Sequence, residues 1–293
     1  MFRYSHLSLY CISFIIGTFL GCHIAFGKAI IPLSTLAAPE LRFTENKGQW
    51  SEFIKTKAEI PGGEMYLSGN ALYYHFIDFD RLHAITHSQS TNKSVSGTWL
   101  KVAFLNAEKN ATPQYSNAYP DRQSYFYGQD NANWISNVAS YQQVYLADFY
   151  PDIDLKLYSS GQNMKYDLVA KPNADLSKIQ LQYSGYKSLK LVNGSLQIET
   201  DQCKMVEMRP YAYQLIGGKQ AKVSCEYILN SNMLSFKIGK NYDANYALIV
   251  DPQIVFSSFT GSKADNFGYT ATYDQDGNTY VGGIVYDVGL IYE

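Results

Sequence analysis

The sequence is short of cysteine, of charge imbalance and of helical periodicity, and each shortage removes a class of protein. It has four cysteines in 293 residues, none in a Cys-x-x-Cys spacing, which leaves no thiolate metal site and no dithiol redox motif. Lys and Arg number 24 against 26 Asp and Glu, a formal net charge of -2. No basic field is therefore available to hold a phosphate backbone, and nucleic acid is excluded as a partner. Charged residues make up only 17%, against 46% hydrophobic and 15% aromatic residues with 26 Tyr, a composition that argues against disorder. The length suffices for one large or two ordinary domains, each able to bury a core without disulfides. There is no Gly-x-Ser-x-Gly elbow and no His-Glu-x-x-His, and Gly62-Gly63 and Gly217-Gly218 read as turns rather than phosphate loops. No catalytic residue, metal ligand or cofactor is assigned.

What is present begins with the N-terminus. Arg3 precedes a largely apolar stretch from Leu7 to Phe26, the pattern of a secretory signal. Ala25-Phe26-Gly27 puts small residues at the minus-three and minus-one positions, so cleavage between Gly27 and Lys28 is expected. Two rivals stay open: Phe19-Leu20-Gly21-Cys22 as a lipoprotein box that would acylate Cys22, and an uncleaved anchor of roughly bilayer length. Every version exports the protein. Membrane contact is expected only through that signal or lipid. Export leaves Cys203 and Cys225 in the folded body, where they either pair as a disulfide or act as two small buried hydrophobes. The segment between them reads as strand, turn and strand, with Ile216-Gly217-Gly218-Lys219 at the turn, so the two could lie on facing or adjacent strands.

The body shows short apolar runs bounded by Gly, Asn, Asp and Pro, without the i, i+3, i+4 recurrence of long amphipathic helices. It is predicted to be all-β, in sandwich-like stacked antiparallel sheets. Predicted strands include 65–67, 71–78, 98–104, 143–146, 153–158, 165–169, 179–183, 189–192, 196–199, 211–215, 222–229 and 233–238. Asn193-Gly194 is the clearest hairpin signal, since both residues tolerate the positive φ of a tight two-residue turn. Ser68-Gly69-Asn70 and Ser159-Ser160-Gly161-Gln162 read as further turns, Pro172 to Lys178 as a turn with at most one helical turn, and the polar run Thr86 to Gly97 as a loop.

Phe43-Thr44-Glu45-Asn46-Lys47-Gly48-Gln49-Trp50 resembles the opening of a family of large secreted bacterial surface proteins. The resemblance continues in order through Tyr150-Pro151-Asp152-Ile153-Asp154-Leu155, Lys165-Tyr166-Asp167-Leu168, Arg209-Pro210-Tyr211-Ala212-Tyr213-Gln214 and Leu248-Ile249-Val250-Asp251-Pro252. In that family an uncharacterised all-β N-terminal domain precedes SBBP repeats, which are associated with seven-bladed β-propellers. Gln253 to Gly283 looks like the first repeat, through Val255-Phe256-Ser257-Ser258-Phe259 and Asp276-Gly277-Asn278-Thr279-Tyr280-Val281-Gly282-Gly283, with Thr260-Gly261-Ser262 departing from the usual Leu-Gly-Gly. After the signal over 1–27 and a linker over 28–41, the resemblance implies a β-rich module over 42–252 and an incomplete propeller repeat over 253–293. A blade needs neighbours to bury its faces, so the resemblance also implies a longer protein with blades downstream.

Several residue clusters invite chemistry and are weighed against it. His83 and His87 have the i, i+4 spacing of helical metal ligands, with Asp78 and Asp80 close by, but no helix is predicted there and solvated histidines are the simpler reading. Asp152 and Asp154 would point the same way on a strand, as an acid pair or a calcium ligand, or simply flank Ile153 where a strand starts. Asp274-Gln275-Asp276-Gly277-Asn278 carries its glycine too early for an EF-hand loop and reads as a turn. Tyrosine is the best clue to binding: Tyr73-Tyr74, Tyr125-Phe126-Tyr127 and Tyr141 to Tyr150 are dense. Most are expected in the core or in cross-strand pairs, with a subset free to meet a surface glycan or a protein. The expected function is a non-enzymatic, exported cell-surface module for adhesion or scaffolding. An accessory domain of a secreted hydrolase and a ligand-binding lipoprotein are the alternatives.

Overall fold

The computed structural model describes residues 40–78, 85, 94–161, 163–258, 266–273 and 279–285. The strands are β1 (Phe43–Glu45), β2 (Thr56–Ile60), β3 (Gly63–Ser68), β4 (Ala71–Ile77), β5 (Gly97–Phe104), β6 (Gln114–Phe126), β7 (Trp134–Tyr150), β8 (Ile153–Ser160), β9 (Asn163–Ala170) and β10 (Gln180–Ser184). They continue as β11 (Ser188–Val192), β12 (Ser195–Glu199), β13 (Cys203–Glu207), β14 (Tyr211–Ile216), β15 (Lys219–Val223), β16 (Cys225–Asn230), β17 (Met233–Ile238), β18 (Leu248–Asp251), β19 (Gln253–Ser258), β20 (Asn266–Tyr273) and β21 (Thr279–Val285). The only helical pieces among the described residues within 94–258 are 3-10 turns at Asn131–Asn133 and Leu176–Lys178.

The fold is all-β and antiparallel, organised around the 17-residue strand β7. One edge of β7 pairs with β6, and the other is divided between β1, at Ser140 and Tyr141, and β8, from Val144 to Tyr150. From β1 one arm runs through β2, β3, β4, β5, β10 and β17 to β16. From β8 the second arm runs to β9, whose far edge is divided again, with β18 meeting Leu168 to Ala170 and β19 meeting Met164 and Lys165. β18 leads to β14 and β15, while β19 leads to β13, β12 and β11. β20 and β21 pair with each other.

The two arms pack face to face in a sandwich that is nearly closed and barrel-like, because in most strands alternate residues are apolar and share one face. The Tyr74 ring (β4) lies 6.1 Å from that of Phe256 (β19), and its hydroxyl is 3.8 Å from the Met164 sulfur (β9). Phe104 (β5) meets Tyr166 (β9) edge to face at 6.2 Å. Tyr74, Tyr150, Tyr166, Tyr183, Phe43, Phe76, Phe104 and Phe149 are all fully buried. Each such side chain contributes roughly 1.5–3 kcal/mol through removal of apolar surface from water.

The hairpin turns follow from their sequences. Asn193 and Gly194 adopt φ of 51° and 80° between β11 and β12, and Gly217 and Gly218 adopt 57° and 76° between β14 and β15. Asp175 caps the turn at Leu176–Lys178, its carboxylate accepting from the Ser177 amide at 3.1 Å. Two expectations are corrected. The run 222–229 is two strands, not one, since the chain breaks at Ser224, whose amide is held by the Asn241 side chain at 3.1 Å and whose carbonyl accepts from Gly239 at 2.8 Å. There the chain passes from β14–β15 in one arm to β16–β17 in the other. Consequently Cys203 and Cys225 are not on adjacent strands but on strands of opposite arms: Cys203 aligns with Ser258 and Cys225 with Ile238. Both are buried and carried as thiols, not as a disulfide. The segment 253–258 is β19, aligned with β13 from Ile254 to Ser258 and burying Ile254 and Phe256 in the core.

Candidate functional site

The motif Asn46 to Trp50 forms the loop leaving β1, and its chemistry is turned inward onto its own backbone. The Asn46 side-chain oxygen accepts from the amides of Gly48 (2.9 Å) and Trp50 (3.3 Å), and its nitrogen donates to the carbonyls of Trp50 (3.3 Å), Ser51 (2.9 Å) and Ile54 (2.7 Å). Gly48 sits at φ 108°, a conformation side chains rarely adopt. Gln49 is buried, donating to the Glu45 carbonyl at 2.6 Å and accepting from the Lys47 amide at 2.7 Å. Lys47 donates to the Asn137 carbonyl at 2.8 Å, which ties the loop to β7. These residues shape a loop.

The other motif residues are likewise fasteners. Pro151 and Asp152 form the turn between β7 and β8, where Pro fixes its own φ and Asp152 takes φ 61°. Asp152 is exposed at that turn, whereas Asp154 is buried, accepting from the Asp148 amide at 2.7 Å and from the Tyr145 hydroxyl. Asp152 thus belongs to the turn and Asp154 to the strand that follows it. Pro210 is buried at the start of β14, and Gln214 reaches from β14 to the carbonyls of Asp243 (2.7 Å) and Tyr246 (2.9 Å) and accepts from the Asp243 amide (3.0 Å). Tyr211 and Tyr213 stand beside each other, ring centroids 5.8 Å apart. Asp251 is paired with Lys165 at 2.7 Å, and Tyr158 donates to Asp167 at 3.0 Å within reach of Asp251. Burial, then the neighbouring Asp251 charge, pushes Asp167 up to about 6. Pro252 follows Asp251 at the fork of β9, its carbonyl accepting from Tyr166 at 3.5 Å.

Inside the sandwich lies a cluster that the sequence did not announce. Glu207, at the end of β13, is buried and accepts hydrogen bonds from the hydroxyls of Tyr166 (β9), Tyr183 (β10, 2.7 Å) and Tyr227 (β16, 2.9 Å). Full burial pushes its carboxyl above the ordinary range, and the three hydroxyls only partly oppose that. Because Tyr183 and Tyr227 belong to one arm and Tyr166 and Glu207 to the other, the cluster fastens the arms together. A regular spacing of residues 166, 183, 207 and 227 does not exist, so only the fold could bring them together.

The tyrosine clue divides as expected between core and surface. On the outer face of β3, β4 and β5, Trp99 stacks on its cross-strand neighbour His75 at 4.3 Å and 14°, and lies 5.8 Å from Tyr66. Tyr127, just beyond β6, adds to the upward push on the Tyr66 hydroxyl, which burial and the Glu64 hydrogen bond begin. Tyr127 is 6.1 Å from Tyr125, which meets Trp50 edge to face at 5.6 Å. Together they form an aromatic strip from the Asn46–Trp50 loop to β5, in which Trp99 is 51% and Tyr127 48% exposed. Beside Tyr125 a cavity of about 440 Å³ is lined by Arg42, Lys57, Glu59 and Gln123. On the other side of the β6–β7 hairpin, Phe126 (63% exposed) and Trp134 (41% exposed) pack edge to face at 5.1 Å.

Gly27, Lys28, Asp80, His83, His87, Asp276, Gly277 and Asn278 lie outside the described residues. Among the described residues no group of three or more His, Cys, Asp and Glu is arranged to hold a metal ion. No helix among them is long and apolar enough to cross a membrane.

Fold and surface together define an all-β domain with an inward-fastened sequence motif and outward-facing aromatics. The chain belongs to the family described as a domain of unknown function (DUF7948), which matches residues 43–253. No curated protein and no solved structure gives a significant match.

Proposed function

We propose that this chain is an exported, non-enzymatic module that acts in adhesion or as a scaffold at the cell surface, at the N-terminal end of a longer protein with SBBP propeller repeats. Arg3 and the apolar run to Phe26 support export, and the family-like segment after Gln253 supports blades downstream. The observation that carries the interaction role is the aromatic strip with Trp99 and Tyr127 half exposed. Large rings left in water on a protein with a well-filled core mark a contact surface. The partner is another surface component, glycan or protein.

Export is tested by expressing the full chain in a Gram-negative host, fractionating the cells and determining the N-terminus by mass spectrometry. A mature chain beginning at Lys28, or an acylated one beginning at Cys22, supports the reading. An unprocessed chain confined to the cytosol overturns it.

A further inference from the structure

We propose that the strip Trp50–Tyr125–Tyr127–Tyr66–Trp99–His75 is a track for a linear, uncharged polysaccharide; this rests on the surface-module reading and names its ligand. The rings form two runs, Trp50–Tyr125–Tyr127 at 5.6 and 6.1 Å and Tyr66–Trp99–His75 at 5.8 and 4.3 Å, bridged by Lys57 and Glu64 between Trp50 and Tyr66, so a ligand that follows them is a chain of several units. A pyranose ring offers the partly positive C–H groups of one face to the negative face of an aromatic ring, while its hydroxyls need donors and acceptors at the edges. The strip supplies both. Tyr66 donates to Glu64, Glu64 is paired with Lys57, and Lys57 lies over Trp50 at 5.7 Å. Tyr125 donates to Gln123 at 2.6 Å, and the cavity beside it adds Arg42 and Glu59.

Charge selects among polymers. Arg42 and Lys57 face Glu40, Glu59 and Glu64, so the strip has no positive field to attract a polyanion. The same charges argue against a protein partner, because the buried centres of protein interfaces are depleted in Lys, Glu and Asp. A sugar chain needs those groups where they are. The Phe126–Trp134 pair, set on the opposite side of the hairpin, is outside the track.

The experiment is affinity electrophoresis of the full chain through gels containing soluble neutral polysaccharides (a mixed-linkage β-glucan, a xylan, a galactomannan) or an anionic one (polygalacturonate). Retardation by at least one neutral polymer is expected, with Trp99→Ala and Tyr127→Ala each weakening it about tenfold and Phe126→Ala leaving it unchanged. Near-ultraviolet circular dichroism confirms that the variants are folded. No retardation by any neutral polymer, retardation by the anionic polymer alone, or retardation indifferent to Trp99→Ala overturns the inference. Each of these leaves the export result standing, while cytosolic retention of the chain would sink the surface reading on its own.

Discussion

Replacing Glu207 by Leu tests whether the buried cluster holds the arms together. Two effects oppose each other. Leucine removes a carboxylate whose burial is costly, and replacing buried ionic groups by apolar ones is often neutral or stabilising. Yet the hydroxyls of Tyr166, Tyr183 and Tyr227 all donate to this one side chain, and each buried hydroxyl left without a partner costs about 1–3 kcal/mol. Three orphans outweigh the relieved carboxylate, so Glu207→Leu is expected to cost at least about 3 kcal/mol, read as a fall of about 6–12 °C in Tm. Adding Tyr183→Phe to that variant removes one orphan and should recover about 1–3 kcal/mol. Glu207→Gln keeps an accepting oxygen and should cost little. It should also remove a pH dependence: the carboxyl is raised above its ordinary value in the folded state, so stability is full below about pH 4, where both states hold the proton, and declines as pH rises beyond it. Thermal and urea melts between pH 4 and 8 report all of this. A Glu207→Leu protein as stable as the parent, or a Glu207→Gln protein with the parent's pH slope, would refute the reasoning.

Three further outcomes are expected. Asp167, pushed up to about 6 by burial and Asp251, should cost stability as pH rises from about 4 to 6 and no more above that; Asp167→Asn should flatten that limb, by no more than about 3 kcal/mol. Asn46→Ala strips five hydrogen bonds from one loop and should lower stability by about 2–4 kcal/mol, measured as a shift in the urea midpoint at unchanged slope; a midpoint within error of the parent would remove the loop-fastening role. The Cys225 thiol, pushed up to about 12 by burial and the neighbouring Glu226, should resist iodoacetamide at pH 8 in the folded chain and react in urea, as peptide mapping will show; rapid labelling of the native protein would contradict its burial.

Much of the fold was legible because strands with one face in the core write an alternating pattern. Met65 and Leu67, Leu155 and Leu157, and Leu196 and Ile198 are buried pairs two residues apart, and their strands were read from that spacing. β6 was not legible: from Gln114 to Phe126 it has no buried residue, so it leaves no apolar alternation, and only its ladder with β7 makes it a strand. The break at Ser224 was hidden for a different reason, since both flanking strands are regular and the interruption comes from Asn241 and Gly239, distant in sequence. The motif residues were recognisable as a set, but their roles were not. Asn46 and Gln214 act on backbone carbonyls that only the folded chain brings within reach. The tyrosines were rightly divided between core and surface, whereas membership in the strip depends on β6 bringing Tyr125, with Tyr127 beside it, up to Trp50.

The strands at the two ends of the main sheet are interior ones. β1 lies between β2 and β7, and β19 between β9 and β13. Under tension applied along the chain, neither end can be peeled from a free margin, since withdrawing either breaks hydrogen bonds on both its sides at once. Such an arrangement resists fraying and stepwise extraction. A module pulled between an anchor on one side and a further domain on the other would hold its shape until the sandwich yields as a unit, and would pass the load on instead of dissipating it.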